Sequence, residues 1–419
     1  MARQMAIIPI DGVVMYHVED PNALPAQISD TYMHAPDVHP RSVVLCGALA
    51  IIVAGSFSAI AAAGDRLLQE TVEFTGAIAF LEHKVPGLVI GAVRNGERAI
   101  AGFGTTSTGS SAVPDGKTIF RIGSVTKAFA GAVLASTAVE GTIALTDRLE
   151  KHLGWDVKVP TRDGKAVRLV DLATHSGGFP REVPHEPGPT NDPFSTITKS
   201  DFVALLKKDS LLFAPGTGAL YSNMGFDLLA AALGSAAGKP YPDLVSQRIT
   251  QPLGMADTVF SPNNDQRARL MQGHDVGGEP MPDVPTGSII VGSGGLYSSV
   301  NDILTWLEWH LDRFSERDAE MRLVDHSVWL QRDGLSPVYG FDESGRMDGL
   351  ALAWIVMMPE GRRPLILQKA GGLQGIFCYA AFAPTRGIGV FVAINQFNFG
   401  AAAAMASAVN DMIAALSPR

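Results

Sequence analysis

The sequence predicts an α/β fold in which the two ends of the catalytic chain form one layer of sheet and helices. Apolar residues recur at helical spacing from residue 66, and two β-rich runs follow them. Further β-rich runs and a long helical pattern return near the C-terminus. The stretch between them, about residues 145–290, is mainly helical in pattern. We therefore expect one α/β layer joined to an all-helical lobe.

The first elements of the layer are a helix and a hairpin. Apolar residues spaced three and four apart predict an amphipathic helix over residues 66–83. Two apolar runs, one at residues 87–93 and one ending at Phe103, flank the pair Asn95-Gly96. Because Asn-Gly is a preferred pair for a two-residue turn, these runs predict a β-hairpin.

The remaining elements follow from apolar runs and from the positions of glycine and proline. Residues 124–140 are apolar on all sides and predict a buried helix that Gly141 ends. Residues 177–195 are dense in proline, glycine and aspartate and predict a loop. The other predicted elements are helices from residue 199 and over 225–237 and 401–416, and strands over 363–368, 377–382 and 387–395.

Composition excludes several classes of function. The 419 residues are 46% hydrophobic and 18% charged, which is typical of a globular protein with a packed core. The net charge is −9 and lysine and arginine form no cluster, so nucleic acid is not an expected partner. Cys46 and Cys378 are too few for a disulfide framework and stand in no zinc-binding spacing.

Residues 1–63 are predicted to be an N-terminal extension that contains a signal peptide. Residues 43–63 carry no charge, follow Arg41 and end in three alanines, a pattern suited to signal peptidase. Met33 is the more natural start, so we expect that the chain as given begins too early. Two alternatives stay open. The run is long enough to be an uncleaved membrane anchor, which would be the only expected membrane contact, and it could also be a buried helix.

The first chemical motif is Ser124-Val-Thr-Lys127, at the start of the predicted buried helix. Side chains at positions i and i+3 share a helix face, so the Lys127 amine can reach the Ser124 hydroxyl. Serine becomes a strong nucleophile when a neighbouring base takes its proton, and lysine can be that base when burial or nearby cations lower its pKa. The helix N-terminus adds N–H donors beside the developing negative charge. Alone, the pattern is common, and an ordinary surface helix start is the alternative.

The second motif is Tyr221-Ser-Asn223, just before the predicted helix at residue 225. A tyrosine near two lysines can become a phenolate and carry protons to and from a leaving group. The Asn223 amide can both donate a hydrogen bond to a substrate and accept one from it. The alternative is a helix-capping turn, in which Asn223 would serve as the cap.

The third motif is Lys369-Ala-Gly-Gly372, at the expected end of a strand. Lys369 could polarise Tyr221, and the two glycines would let a substrate lie along the strand as an added edge. Alone, this motif would be a glycine-rich turn.

Together the three motifs resemble the SxxK, YxN and KTG motifs of class C β-lactamases and their low-molecular-weight penicillin-binding relatives. The similarity extends through residues 172–178, 251–255 and 294–298, in the family's order, and covers roughly residues 86–416. It implies a β-lactamase/transpeptidase-like α/β fold, in which an antiparallel sheet is flanked by helices and joined to an all-helical lobe. It also implies a serine hydrolase that forms an acyl-enzyme, with no cofactor and no metal.

The resemblance also implies a role for each motif residue. The implied catalytic residues are the nucleophile Ser124, its activating partner Lys127, the acid/base residue Tyr221 and the electrostatic partner of that tyrosine, Lys369. Asn223, Gly371 and Gly372 would bind the substrate. The backbone N–H groups of Ser124 and Gly372 would form an oxyanion hole.

Ala370 departs from the β-lactamase pattern, in which threonine or serine at this position helps to bind a substrate carboxylate. The leading expectation is hydrolysis of D-alanyl peptides of peptidoglycan (a DD-carboxypeptidase or endopeptidase) or of β-lactams. The alternatives are a carboxylesterase that acts on small acyl esters and a β-lactam-binding sensor that is acylated without turnover. The expected partner is therefore a small-molecule or peptidoglycan substrate.

Other candidate residues are expected to be structural. His175 stands beside Ser176, but no GxSxG elbow accompanies them, so a loop histidine is expected. Trp306 and Trp309 are expected in the core. The sequence contains no HExxH, P-loop or GxGxxG motif.

We predict that the mature protein begins near Gly64 and is exported to the periplasm or secreted, because the apolar run before it suits signal peptidase. N-terminal sequencing of protein recovered from the periplasm measures the cleavage site. A cytosolic product that retains residues 43–63 would contradict the prediction.

Overall fold

The computed structural model describes residues 8–10, 13–15, 65–189, 192–208 and 211–417. The chain divides into two compact units, Met1–Gly64 and Asp65–Arg419. In the first unit, strands Ile8–Ile10 and Val13–Met15 pair antiparallel. The predicted signal segment, residues 43–63, lies outside the described residues.

The second unit is built on an eight-stranded sheet whose neighbouring strands all pair antiparallel. In chain order its strands are β1 (Gly87–Arg94), β2 (Glu97–Gly104), β3 (Leu330–Gln331), β4 (Gly349–Leu350), β5 (Ile355–Met357), β6 (Ile366–Leu373), β7 (Ile376–Ala383) and β8 (Ile388–Ile394). Their order across the sheet is β3-β4-β5-β6-β7-β8-β1-β2, so the two ends of the catalytic chain meet where β8 pairs with β1. The sheet is thus formed by strands from both ends of the catalytic chain.

The predicted hairpin joins β1 to β2 through Asn95 and Gly96. Both residues have positive φ angles, 52° and 86°, as a two-residue turn of this kind requires.

The described residues contain eleven α-helices. They are α1 (Arg66–His83), α2 (Thr126–Val139), α3 (Leu149–His152), α4 (Leu169–Ala173), α5 (Lys199–Leu206), α6 (Asn223–Ala237), α7 (Tyr241–Val245), α8 (Asn264–Arg267), α9 (Val300–Leu311), α10 (Ala319–His326) and α11 (Phe399–Leu416). The predicted helix over 66–83 is therefore confirmed as α1. The predicted buried helix begins instead with a short 3₁₀ turn, Gly123–Val125, and becomes α-helical at Thr126.

The sheet separates two apolar cores. Alternate residues of β1 face opposite sides, so that Leu88 and Ile90 pack with α1 and α11 while Val89 and Val93 join the larger core with α2, α6 and α9. Although α11 is apolar and long enough to cross a membrane, its inward face is buried against the sheet.

The lobe between the two ends of the sheet is helical in the main, with α3 to α8 inside residues 145–290. It differs from the expected all-helical lobe in carrying a small hairpin, Thr161–Arg162 with Lys165–Ala166. The turn of this hairpin is Asp163-Gly164, and both residues have positive φ angles. This Asp-Gly pair is a strong local hairpin signal, and it overrides the helical pattern around it.

The third motif lies inside a strand and is not a turn. The predicted strand ends at residue 368, but β6 continues to Leu373 because it pairs with β7 along its whole length from Leu367. On its other side, β5 pairs with β6 only as far as Gln368. Among the described residues, the remaining part of β6, from Lys369 onward, thus has no strand partner on the β5 side.

This open part of β6 lies against the turn that carries Ser124. A Cβ placed on Gly371 would lie 2.1 Å from the Ile122 carbonyl oxygen, and one on Gly123 would lie 2.8 Å from the Gly372 nitrogen. Real Cβ contacts of this length do not occur, so the two backbones cross only because both positions are glycine.

We predict that Gly371→Ala destabilises the crossing and misplaces Ser124. Overpacking typically lowers the free energy of unfolding by about 1–3 kcal/mol, and misplacement of a nucleophile by 1 Å lowers its reaction rate by about a hundredfold. Thermal unfolding and the rate of acylation by a fluorescent penicillin measure the two effects. Gly334→Ala is the matched control, since a Cβ there meets no atom within 4 Å. Equal behaviour of the two variants would contradict the prediction.

Candidate active site

Ser124 lies in the 3₁₀ turn that leads into α2. Gly123 has a φ of +49°, which favours glycine and lets the chain turn sharply before the serine. Val125 and Phe129 are fully buried and fix the turn and the helix in the core. The half-buried Ser124 side chain is thus held at a helix N-terminus.

Lys127 lies one helical turn beyond Ser124 and is fully buried. Its Nζ donates to Ser124 Oγ over 3.0 Å and to the Ser293 carbonyl oxygen over 2.7 Å. The i, i+3 spacing of the first motif therefore places the lysine amine against the serine hydroxyl, as predicted.

The Ser293 carbonyl is held in place by Asp227 on α6. Asp227 accepts hydrogen bonds from the Ser293 backbone N–H over 2.9 Å and from its hydroxyl over 3.0 Å. Burial raises the pKa of Asp227 to about 8, although Lys127 and the two Ser293 bonds oppose the rise. At neutral pH this carboxyl is mainly protonated, so it positions the lysine without a full negative charge.

Tyr221 lies between the two lysines of the motifs. Its ring centroid is 5.1 Å from Lys127 Nζ and 4.9 Å from Lys369 Nζ. Burial alone would raise its pKa, but the two lysine charges and a hydrogen bond with Ser124 lower the pKa of Tyr221 to about 7. A large fraction of this phenol is therefore ionised at neutral pH.

His175 packs against the ring of Tyr221. The two rings stack with centroids 4.4 Å apart, and His175 Nδ1 accepts the Ser222 backbone N–H over 3.0 Å. Burial, followed by the charges of Lys369 and Lys127, holds the pKa of His175 well below its usual value. The neutral histidine is buried and structural, as expected from the sequence.

Lys369 lies on β6 and is almost fully buried. Burial, helped by the charge of the neighbouring Lys127, lowers its pKa to about 8, although Tyr221 acts in the opposite direction. Near pH 7 to 8 the lysine and the tyrosine can therefore share a proton between them.

Asn223 begins α6 beside this group. Its Nδ2 donates a hydrogen bond to the Glu182 carboxyl group. Burial raises the pKa of Glu182, although the charge of Arg181 opposes this rise. Its Oδ1 is buried without a hydrogen-bond partner among the described residues. The helix is capped by the Ser222 side chain, which accepts the Gly225 N–H, so the alternative in which Asn223 is the cap is wrong. The Asn223 carbonyl is thus left with unused hydrogen-bonding capacity.

The remaining predicted substrate-binding residues form the open edge of β6. Gly371 and Gly372 adjoin the turn at Gly123 and Ser124, which brings the backbone of Gly372 near that of the serine. Ala370 pairs with Tyr379 of β7 and offers only a methyl group. The structure thus brings all seven predicted site residues into one region.

Sequence patterns did not identify three of the supporting residues, Asp227, Ser293 and Glu182. Asp227 carried a usable signal, because it is the one charged residue in the mainly apolar helix α6. Glu182 resembles an ordinary loop glutamate, and Ser293 lies in a glycine-rich turn. Their partners are 41 and 66 residues away in sequence, so no local pattern joins them.

A separate group of possible metal ligands lies in the core. One ligand atom from each of His310, Asp325 and His326 falls within 4.8 Å of the others. The two histidine rings are hydrogen-bonded, with His310 Nδ1 2.8 Å from His326 Nε2. Asp325 accepts the Trp354 indole N–H over 3.0 Å. His310 Nε2 and Asp325 Oδ1 are buried without a hydrogen-bond partner among the described residues. Trp306, also buried here, confirms the expected core position, as does Trp309.

Comparison with known proteins identifies the family. The family described as Beta-lactamase matches residues 64–411. The chain belongs to the beta-lactamase family. The D-alanyl-D-alanine-carboxypeptidase/endopeptidase AmpH of Escherichia coli (strain K12) is 35% identical over 333 residues, which cover 79% of this chain and 85% of that protein.

Solved structures of two other proteins have the same fold as this chain. A β-lactamase/D-alanine carboxypeptidase from Yersinia pestis, complexed with citrate, has a TM-score of 0.76 and 33% identity, covering 84% of this chain and 98% of that one. A class C β-lactamase from Rhodobacter sphaeroides has a TM-score of 0.66 and 24% identity, covering 82% and 99%, and shows the fold alone. The predicted fold and family are confirmed, and the chain is a serine hydrolase.

We predict a bell-shaped dependence of kcat/KM on pH for a neutral ester. Activity should rise as Tyr221 loses its proton near pH 7 and fall as Lys369 loses its proton near pH 8. Because the groups are coupled, these apparent pKa values belong to the pair.

Lys369→Met removes a charge that lowers the pKa of Tyr221, so the acid limb should move to higher pH by about one unit or more. Lys199→Met, an exposed lysine on α5, is the control and should leave the profile unchanged. An acid limb that stays in place in Lys369→Met would show that another group titrates there.

Proposed function

We propose that this enzyme hydrolyses D-alanyl peptides of peptidoglycan through an acyl-enzyme on Ser124. The observation that carries the proposal is the contact of Lys127 Nζ with Ser124 Oγ beside a tyrosine whose pKa is lowered to about 7. This arrangement supplies a nucleophile, a phenolate that can take its proton and a lysine that can relay it.

In the first half-reaction, Ser124 Oγ attacks the scissile carbonyl carbon while its proton passes to the Tyr221 phenolate, either directly or through Lys127, which gives one proton to Tyr221 as it takes one from Ser124. The carbonyl oxygen gains negative charge, and the backbone N–H groups of Ser124 and Gly372 stabilise it. Each such donor typically contributes about 3 kcal/mol to transition-state stabilisation. The C–N bond then breaks, and the leaving amine takes a proton from Tyr221.

In the second half-reaction, water attacks the acyl-enzyme ester. Tyr221 accepts a proton from this water and returns one to Ser124 Oγ, which releases the acid product. The positive charge of Lys369 favours the phenolate form of Tyr221 in both halves. Asn223 Oδ1 would accept the amide N–H of the acyl group, since it is buried without a partner among the described residues.

The substrate class follows from the relatives together with the open edge of β6. AmpH of Escherichia coli is named as a D-alanyl-D-alanine carboxypeptidase/endopeptidase, and the Yersinia pestis structure carries both β-lactamase and D-alanine carboxypeptidase in its name. An extended peptide can lie along β6 beyond Gln368, where no described strand pairs on the β5 side. β-Lactams would acylate the same serine. Peptidoglycan lies outside the cytoplasm, so the proposal includes export.

We predict that a penicillin adds its mass to the wild-type protein and that D-alanyl-D-alanine peptides lose their terminal residue, whereas Ser124→Ala does neither. Intact-mass spectrometry measures the adduct, and liquid chromatography measures the released D-alanine. Ser407→Ala, an exposed serine on α11, is the control and should behave as wild type.

Labelling of Ser124→Ala by the penicillin would overturn the assignment of the nucleophile. Rapid turnover of a short p-nitrophenyl ester without peptide cleavage would instead identify a carboxylesterase. A stable adduct without any turnover would identify a sensor.

A further inference from the structure

We propose that Arg181 binds a carboxylate group of the substrate and so makes this site specific for anionic substrates. The inference deepens the proposed function and rests on it. The need for such a residue arises at Ala370, whose methyl group cannot donate the hydrogen bond that a hydroxyl would supply at this position of β6.

The backbone of Arg181 is fixed beside the active site. Its carbonyl oxygen accepts the backbone N–H groups of Asn223 and Met224, over 2.8 and 3.2 Å, at the start of α6. Its guanidinium carbon lies 5.0 Å from the centroid of the Tyr221 ring. Lys127 Nζ lies 5.1 Å from the same centroid and 3.0 Å from Ser124 Oγ, so the guanidinium is within reach of a substituent on a substrate that Ser124 attacks.

The guanidinium is available to a ligand. The Arg181 side chain is 46% exposed, and among the described residues it donates no hydrogen bond. Its nearest carboxylate, Glu182, stands 3.8 Å away and already accepts a bond from Asn223. Arg94 and Arg121, by contrast, donate hydrogen bonds to Asp65 and Asp283.

The charge around Tyr221 favours an anion. Lys127, Lys369 and Arg181 all lie within about 5 Å of the ring centroid, but the two lysines are buried and face the reacting groups. Arg181 is the one of these three that is exposed to solvent. On a chain with a net charge of −9, this basic group gives the site a local positive potential that attracts anions. The planar guanidinium can bind a carboxylate with two parallel hydrogen bonds.

The carboxylate could stand on the leaving residue or on the acyl side of the scissile bond, and two pairs of esters distinguish these positions. In each pair, one ester carries a carboxylate and the other a carboxamide at the same position. This position is on the phenyl leaving group in the first pair and on the acyl chain in the second. The measurement is kcat/KM for each ester with wild type, Arg181→Gln, Arg181→Lys and the control Arg317→Gln, an exposed arginine before α10.

In Arg181→Gln, the ratio of kcat/KM for the anionic ester over the neutral ester should fall by about tenfold or more in at least one pair, the loss expected for a hydrogen-bonded charge. Arg181→Lys should keep part of the ratio, and Arg317→Gln should match wild type. The pair that responds identifies the position of the carboxylate.

Ratios that stay unchanged in both pairs of Arg181→Gln would overturn the proposal. An equal fall for anionic and neutral esters would also overturn it, because Arg181 would then act through Tyr221. Wild-type protein that hydrolyses the esters but cleaves no D-alanyl peptide would contradict the proposed function, and the ester ratios would still decide the role of Arg181.

Discussion

Strand β6 runs so close to the turn that carries Ser124 that neither backbone has room for a side chain where they cross. Glycine at positions 123 and 371 is therefore a steric requirement at this crossing, and at Gly123 the positive φ adds a conformational one. The contact joins a turn from the early part of the chain to a strand more than 200 residues later. It brings the backbone of Gly372 beside that of Ser124, so the sheet supplies one donor of the proposed oxyanion hole and the helix supplies the other.

Burial of two lysines beside one tyrosine sets the electrostatics of the site. A buried ammonium group is costly unless polar groups surround it. Lys127 donates to the Ser293 carbonyl and to the Ser124 hydroxyl, whereas Lys369 Nζ has no hydrogen-bond partner among the described residues and lies 4.9 Å from the centroid of the Tyr221 ring. Asp227, the carboxyl that holds the Ser293 segment beside Lys127, is mainly neutral at pH 7 because burial raises its pKa. A fully ionised carboxylate in that position would compete with Tyr221 for the lysine charges. Neutral Asp227 instead anchors the Ser293 carbonyl and leaves those charges to act on the phenol.

The sequence was sufficient for the elements with strong local signals. Helix α1 and the hairpin at Asn95-Gly96 depend on spacing and turn chemistry, and both were predicted correctly. The end of β6 was placed too early, because Lys369 to Gly372 looks like a turn until pairing with β7 is known. The motif residues could be found because their chemistry is specific. Asp227 and Glu182 act through partners distant in sequence, so only the folded chain shows their contacts.

Segments distant in sequence hold the backbone and the ring of Tyr221. Its backbone N–H donates to the Tyr339 carbonyl oxygen over 3.2 Å, directly after the parallel pairing of Ala219–Leu220 with Val338–Tyr339. Its ring stacks on His175. The loop over residues 177–189 contributes as well, since the Pro180 carbonyl accepts the Ser222 hydroxyl and the Arg181 carbonyl accepts the backbone N–H groups of Asn223 and Met224. The same loop therefore positions the start of α6 through its backbone and carries the exposed Arg181 side chain that we propose to bind substrate. Side-chain changes in the loop can alter which substrates bind as long as these backbone contacts persist.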